Sequence, residues 1–351
     1  MMCIKEESKI VTQNIFIVHS PYQVFIAEII IKTIHKSPEY ENVILLELNH
    51  DYQNINHDLR SKVEILENVG GSTLGHKKYL ACEKNMEIIK QYVNKDMETH
   101  LFISDIAWPM NNRIFFDKHL RGRVKYSLIS DGLGTMALQK VTFALFVRGL
   151  VKSFNGLIHC GVRYKNYCGN QYGLDRKEIK YIYAPNVKLI KCEPSKKKEV
   201  SFGAIHGAAN FNKDKCLFLD QPYWLFMQDV NWHEIREKSI KFIRSLNIKE
   251  CYYKNHYFGR KEEEFYFKSQ GFNIINSNKC AEQIVAENDF GIVVSYSSSA
   301  LFNLKCMYHG ELRCISLFSK AIRMHNGYQD NKSETLIDLF NAVNVEIIKI
   351  L

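Results

Sequence analysis

Short apolar runs alternate along this chain with longer stretches of helical spacing. Ile15–Val18 (IFIV) reads as a buried strand, His19-Ser20-Pro21-Tyr22-Gln23 as a turn, and residues 24–36 as a helix. A second strand is expected at Val43–Leu48, a helix over 83–93, and further strands at His100–Ile103 and Val124–Ile129. Buried strands interleaved with helices predict an α/β fold built on a parallel sheet.

The stretch Glu193-Pro194-Ser195-Lys196-Lys197-Lys198-Glu199 is polar, charged and carries a proline, and it reads as a linker. The pattern then restarts. Strands are expected at Cys216–Leu219, Glu250–Tyr253, Phe272–Ile275, Gly291–Val294 and Cys314–Leu317, with helices over 232–246, 281–287 and 333–343, the last capped by Ser333. The expected organisation is a first domain over 1–192, a linker region over 193–215 and a second domain over 216–351, with a cleft between the halves. In open α/β sheets ligands bind at the carboxyl ends of the strands, so those ends are the places to look for chemistry.

Composition narrows the classes. The 351 residues are 46% hydrophobic, enough for a sizeable core, and no apolar run approaches the roughly 18 residues of a membrane span. The charged start MMCIKEESKI predicts no secretory signal, hence a cytoplasmic protein whose ten scattered cysteines are reduced thiols. None of them forms a C-x-x-C pair. The net charge of +9 suits an anionic partner, although a solvated lysine-rich surface is the ordinary reading. The segment 140–159, with Phe143, Leu145, Phe146, Leu150, Val151 and Phe154 beside Arg148 and Lys152, reads first as an amphipathic helix packed on the core. A helix lying at an anionic membrane surface is the alternative.

Four strand ends carry suggestive polar groups. His19, Ser20, Tyr22 and Gln23 sit where a strand meets a helix; they can hold an acceptor or an anion, or Ser20 can simply cap the helix with Pro21 at its first position. Ser130-Asp131-Gly132-Leu133-Gly134 places a carboxylate at a strand end beside two glycines, so Asp131 is a candidate general base or part of an Asp-Gly turn. Tyr253-Lys254-Asn255-His256, with Arg260 nearby, can offer an imidazole and cations to a leaving phosphate, or His256 is one more surface or core histidine among thirteen. Ser295-Tyr296-Ser297-Ser298-Ser299-Ala300-Leu301 offers hydroxyls and amides at a helix start, for an anion or for ordinary capping. No P-loop, dinucleotide fingerprint, nucleophile elbow, zinc helix or RNA-binding module is present, and no D-x-D pair follows a strand.

In this order, the four ends resemble the bacterial sialyltransferases: the lipooligosaccharide sialyltransferases of glycosyltransferase family 52 and the related capsular polysialyltransferases. Phe16-Ile17-Val18-His19-Ser20-Pro21-Tyr22-Gln23 is similar to their opening strand and turn. Ser130-Asp131-Gly132 is similar to their acidic-acidic-Gly motif, with Ser130 in place of the first acid. Lys254-Asn255-His256-Tyr257 is similar to their K-x-H-P motif, with Tyr257 in place of the proline. Ser298-Ser299-Ala300-Leu301 is similar to their Ser-Ser motif, and Phe218-Leu219-Asp220-Gln221-Pro222 to the first strand and turn of their second domain.

The resemblance implies a GT-B fold, two Rossmann-like domains facing across a cleft, CMP-sialic acid as donor, and neither metal nor other cofactor. It implies an inverting transfer to a hydroxyl of a cell-surface glycan: lipooligosaccharide, O-antigen or capsule. Asp131 would be the base and His256 the group at the leaving phosphate. Lys254, Ser297, Ser298, Ser299, Gln221, Pro222 and Glu282 would hold the donor, and His19, Ser20, Tyr22, Gln23 and Gly132 would lie on the acceptor side. The expected partners are CMP-sialic acid and a glycan acceptor, with peripheral contact to an anionic inner-membrane face and no nucleic acid. The alternatives are the same fold moving another nucleotide sugar, and a non-catalytic two-domain binding protein.

Overall fold

The computed structural model describes residues 12–47, 61–69, 76–93, 96–136, 140–202, 211–222, 231–256, 259–308, 311–317 and 331–350. By its internal contacts the chain divides into two units, Met1–Ser201 and Phe202–Leu351.

The first unit is a seven-stranded parallel sheet. Its strands are β1 (Thr12–Val18), β2 (Tyr40–Glu47), β3 (Ser61–Leu66), β4 (Glu98–Ile103), β5 (Val124–Ile129), β6 (Ile179–Ala184) and β7 (Lys197–Glu199), in the order β3-β2-β1-β4-β5-β6-β7. β1 is central, pairing Ile15 with Val43 on one side and with Leu101 on the other. Its run from Gln13 to Val18 is buried throughout, as a strand covered on both faces must be. The helices are α1 (Pro21–Thr33), α2 (His76–Tyr92), α3 (Pro109–Phe115), α4 (Leu133–Met136) and α5 (Phe143–Cys160). Ser20 caps α1, its hydroxyl accepting from the Gln23 N–H at 3.2 Å, and Pro21 takes the first turn, where no intrahelical donor is needed.

The second unit is a six-stranded parallel sheet. Its strands are β8 (Asn212–Leu219), β9 (Glu250–Lys254), β10 (Asn273–Ile274), β11 (Phe290–Ser295), β12 (Arg313–Ser316) and β13 (Glu346–Ile347), ordered β10-β9-β8-β11-β12-β13. Its helices are α6 (Trp232–Ser245), α7 (Lys261–Ser269), α8 (Ala281–Glu287), α9 (Ser299–Tyr308) and α10 (Asn331–Ala342). Phe218, Tyr253, Phe267 and Tyr296 are fully buried at the centre of its core. Burying one such ring contributes about 1.5–3 kcal/mol.

Both sheets run through six strands in the Rossmann order 3-2-1-4-5-6, the first with β7 added at its edge. The order reverses between β1 and β4 in the first unit and between β8 and β11 in the second.

Several expectations are corrected. The segment read as a linker, 193–199, forms a short helical turn at Pro194–Lys196 and then β7, which pairs Lys197 with Ile182. The division between units falls later, inside the 193–215 interval. Strands β3, β6 and β13 and helices α3, α4 and α7 have no counterpart in the periodicity. Ser333 is not a cap, because α10 begins at Asn331. Leu48 and Tyr257 lie outside the described residues.

The largest correction concerns α5. The core-packed amphipathic helix expected over 140–159 has its apolar face turned outward, with only Ser153 and Gly156 buried along its length.

Candidate active site

In the first unit, polar side chains gather at the carboxyl ends of β1, β2, β4 and β5. Gln23, fully buried in the first turn of α1, is the hub. Its Oε1 accepts from the His19 N–H at 2.9 Å. Its Nε2 donates to Asp131 Oδ1 at 2.7 Å and lies 3.1 Å from His19 Nε2. One amide therefore ties the turn after β1 to the carboxylate after β5.

The loop after β5 presents Asp131. Ser130 is buried and its hydroxyl accepts from the Gly132 N–H at 3.2 Å, while the Asp131 N–H donates to Thr135 Oγ1 at 2.8 Å. Gly132 has φ +70, a left-handed conformation that a side chain would strain. Ordinary turn chemistry and the presentation of a carboxylate thus coexist. Asp131 is only partly exposed at the surface. Burial pushes its carboxyl up to about 7; the Gln23 hydrogen bond pulls the other way, and the nearby Asp105 charge adds to the rise.

Sequence reasoning missed Asp105, Trp108 and Glu47. Asp105 follows β4, its Oδ1 accepting from the N–H groups of Ala107 and Trp108 at 2.7 and 2.6 Å. The Trp108 ring stacks on His19, with centroids 4.7 Å apart, and its Nε1 donates to Glu47 Oε2 at 3.1 Å. Glu47 is buried at the end of β2. The chain carried a signal for Asp105: the tripeptide Ile-Ser-Asp occurs at 103–105 and again at 129–131, ending adjacent parallel strands. His19 and Asp105 therefore flank the switch point between β1 and β4, the usual ligand crevice of such sheets.

The second unit repeats this logic. Gln221, just after β8, accepts on Oε1 from the Ser297 N–H at 2.7 Å and from Ser297 Oγ at 3.2 Å, joining β8 to the loop after β11 at the second switch point. Ser298 accepts on its hydroxyl from the Ala300 N–H at 3.3 Å, and Ser299 opens α9. Ser295 Oγ donates to Leu219 O at 2.8 Å. Asp220, buried, accepts from Tyr253 Oη at 2.5 Å and from the Gln221 N–H at 2.8 Å. Burial pushes its carboxyl up to about 7 against both bonds. Asp220 thus fixes the Gln221 backbone and was not among the expected site residues.

The other expected donor residues are spread along the unit. Lys254, at the end of β9, donates through Nζ to Ser277 O at 2.7 Å, and its burial lowers the ammonium's pKa. His256 lies two residues beyond, partly exposed, its carbonyl accepting from the Gly259 N–H at 2.6 Å. Pro222 is buried. Glu282, on α8, is buried and accepts from Asn303 Nδ2 on α9 at 2.7 Å; burial raises its carboxyl. The structure therefore unites Gln221 with Ser297, and His19 with Gln23 and Asp131. Glu282 is instead tied to the body of α9.

Comparison with known proteins gives this geometry a family. The two-unit fold is of the GT-B type. It is similar to a 2,6-sialyltransferase from Photobacterium sp., solved with CMP and lactose, at TM-score 0.55 and 12% identity, over 97% of this chain and 78% of that one. A sialyltransferase from Photobacterium damsela matches at TM-score 0.53 and 12% identity, over 97% and 81% of the two chains. A UDP-GlcNAc 2-epimerase from Methanocaldococcus jannaschii, solved with UDP-GlcNAc and UDP, matches at TM-score 0.54 and 10% identity, over 96% and 88%. At these identities the likeness establishes the fold alone. A search of curated protein sequences finds no match. The family model for alpha-2,8-polysialyltransferase (POLYST) aligns with residues 3–312, which spans both strand-end sets, and the chain belongs to that family.

Proposed function

We propose that this protein is an inverting sialyltransferase that takes sialic acid from CMP-sialic acid and passes it to a hydroxyl of a cell-surface glycan. The family to which the chain belongs is named for alpha-2,8-polysialyl transfer, which supports a terminal sialic acid as acceptor. The observation that carries the reading is Asp131: a carboxylate at a strand end, held by Gln23 and lifted to about 7, where it can accept a proton near neutral pH.

In this mechanism the acceptor oxygen attacks the anomeric carbon of the sugar while the bond to the CMP phosphate breaks. The transition state is oxocarbenium-like, as in glycoside hydrolysis. Asp131 takes the acceptor proton. His256 donates a proton or a charge-assisted hydrogen bond to the departing phosphate, and the hydroxyls and amides of Ser298 and Ser299 hold its oxygens, while Gln221 fixes the neighbouring Ser297. The cationic and hydroxyl groups supply the leaving-group stabilisation, so the transfer needs no metal ion. Tyr22 and Gly132 line the acceptor side, and Gln221 and Pro222 the nucleotide side.

Thermal melting in EDTA with a panel of nucleotide sugars tests the donor and the metal claim together. CMP-sialic acid at about 100 times its Kd stabilises the folded state by about 2.7 kcal/mol, which raises Tm by several degrees for a chain of this size. UDP- and GDP-sugars leave Tm unchanged. Selective stabilisation by a UDP-sugar, or a CMP-sialic acid effect that requires added Mg²⁺, contradicts the proposal.

A further inference from the structure

Helix α5 is built inside out. Thr142 caps it, accepting from the Leu145 N–H at 3.3 Å, and Gly161, with φ +68, ends it. Along one side run Gly149, Ser153 and Gly156, spaced four and three residues apart, and this small-residue face is the one that packs inward. A Cβ on Gly149 would collide with the Asn166 side chain, and one on Gly156 would come within 2.6 Å of the Tyr164 ring. Ser153 Oγ donates to Tyr164 O. At Gly156 a Cβ would also stand 2.7 Å from the Val162 carbonyl oxygen, so the backbone itself leaves no room for a side chain there.

The opposite side carries Phe143, Val147, Leu150, Val151, Phe154, Leu157 and Ile158. At 100° per residue these seven fall within one arc about 120° wide. All seven are exposed, Phe143 to 84%, Phe154 to 64% and Ile158 to 60%. Single exposed apolar residues are ordinary; seven on one arc are not.

Charge says what covers this face. The helix has no acidic residue, and Arg148, Lys152 and His159, all exposed, line one margin of the arc. Beside that margin a cavity of about 250 Å³ is lined by Arg148, Lys152 and Lys165, with the Tyr167 ring and Gln171. Three cations around a small cavity next to an apolar arc match an anionic headgroup beside its acyl chains. A second copy fits less well. Antiparallel two-fold pairing through this face would bring the cationic margins of the two helices together with no carboxylate on α5 to answer them.

We infer that α5 is a docking element for an anionic phospholipid membrane surface, the apolar arc entering the interface and the Arg148–Lys152–Lys165 cavity taking a phosphate headgroup. This surface lies outside the residues given a role in transfer, and the inference stands whichever donor sugar the protein uses.

Co-sedimentation of the full chain with vesicles of phosphatidylcholine, alone or mixed with phosphatidylglycerol, tests it. Wild type sediments with the mixed vesicles at least about tenfold more strongly than with phosphatidylcholine alone, and added salt weakens the preference. L150E/F154E loses sedimentation while its melting curve stays in place, as expected for substitutions at exposed positions. R148A/K152A loses the preference for the anionic lipid, by roughly fivefold per cation. Phe154→Trp provides a readout that needs no loss of binding: its fluorescence shifts to the blue when mixed vesicles are added. Wild type staying in the supernatant, L150E/F154E binding like wild type, or no shift for Phe154→Trp overturns the inference. So does a wild-type dimer that L150E/F154E converts to monomer without any lipid binding, which would make a second copy the occupant.

Discussion

Asp131 shows how one side chain's surroundings set its chemistry. In an unfolded chain an aspartate titrates near 3.9. Here burial lifts it to about 7 in spite of the Gln23 N–H. Because its folded pKa is raised, the proton favours the folded state. That contribution to stability is fully present below about pH 4 and is lost as pH rises through about 7. The proposed catalytic role has the opposite sign, since a base must be unprotonated, so under that proposal kcat rises with pH along a limb near 7. Gln23→Leu removes the donor that favours the charged form and moves this limb to higher pH. Gln23 touches Asp131 rather than any reacting atom, so the profile shifts while the plateau stays within about tenfold of wild type. A pH profile of kcat for the two proteins reads this directly, and an unshifted limb would remove Asp131 as the titrating base.

At the scale of elements, the buried parallel strands were legible because they announce themselves as unbroken apolar runs, and Val124–Ile129 and Ala281–Glu287 match the periodicity reading residue for residue. Two of the strands without a counterpart in the pattern are polar, whereas β6 (IKYIYA) is largely buried. β3 (SKVEIL) lies at a sheet edge and is mostly half-exposed, and β7 (KKE) has the composition of a linker. Edge strands are held by backbone pairing to one neighbour, which hydrophobic patterning does not report. α5 misled for another reason: its periodicity was read correctly as amphipathic, but the small residues, not the large ones, face inward. Gly291 on β11 shows a backbone demand of the same kind. A Cβ there would run into the Asn212 carbonyl and stand 2.8 Å from Lys213 Cα on β8, where the register of the two strands shifts. Gly291→Val forces this central pair apart and costs about 1–3 kcal/mol, visible as a fall in Tm. An unchanged Tm would mean that β8 and β11 do not approach as closely as the structure places them.

At the scale of the molecule, two Rossmann sheets each bring a polar set to their switch point. The sequence exposed the individual strand ends, and the resemblance ordered them. It did not reveal the partners that make them sites. Gln23 bonding across to Asp131 spans 108 residues, and Gln221 bonding to Ser297 spans 76. Glu47 was silent in the sequence because it is one carboxylate at the end of a strand until folding brings it to Trp108, and Asp105 was marked only by the repeated Ile-Ser-Asp. The central proposal is that Asp131 is the base and His256 the group that meets the leaving phosphate. Steady-state kinetics with CMP-sialic acid, together with CMP binding, on D131N and H256A test it most directly. Asp131→Asn is nearly isosteric but cannot accept a proton, so kcat falls at least about a hundredfold while KM for the donor stays the same. His256→Ala lowers kcat by a similar factor and also weakens CMP binding, because a contact to the phosphate is lost in the ground state. Small, equal losses in both variants with CMP binding unchanged would contradict the account.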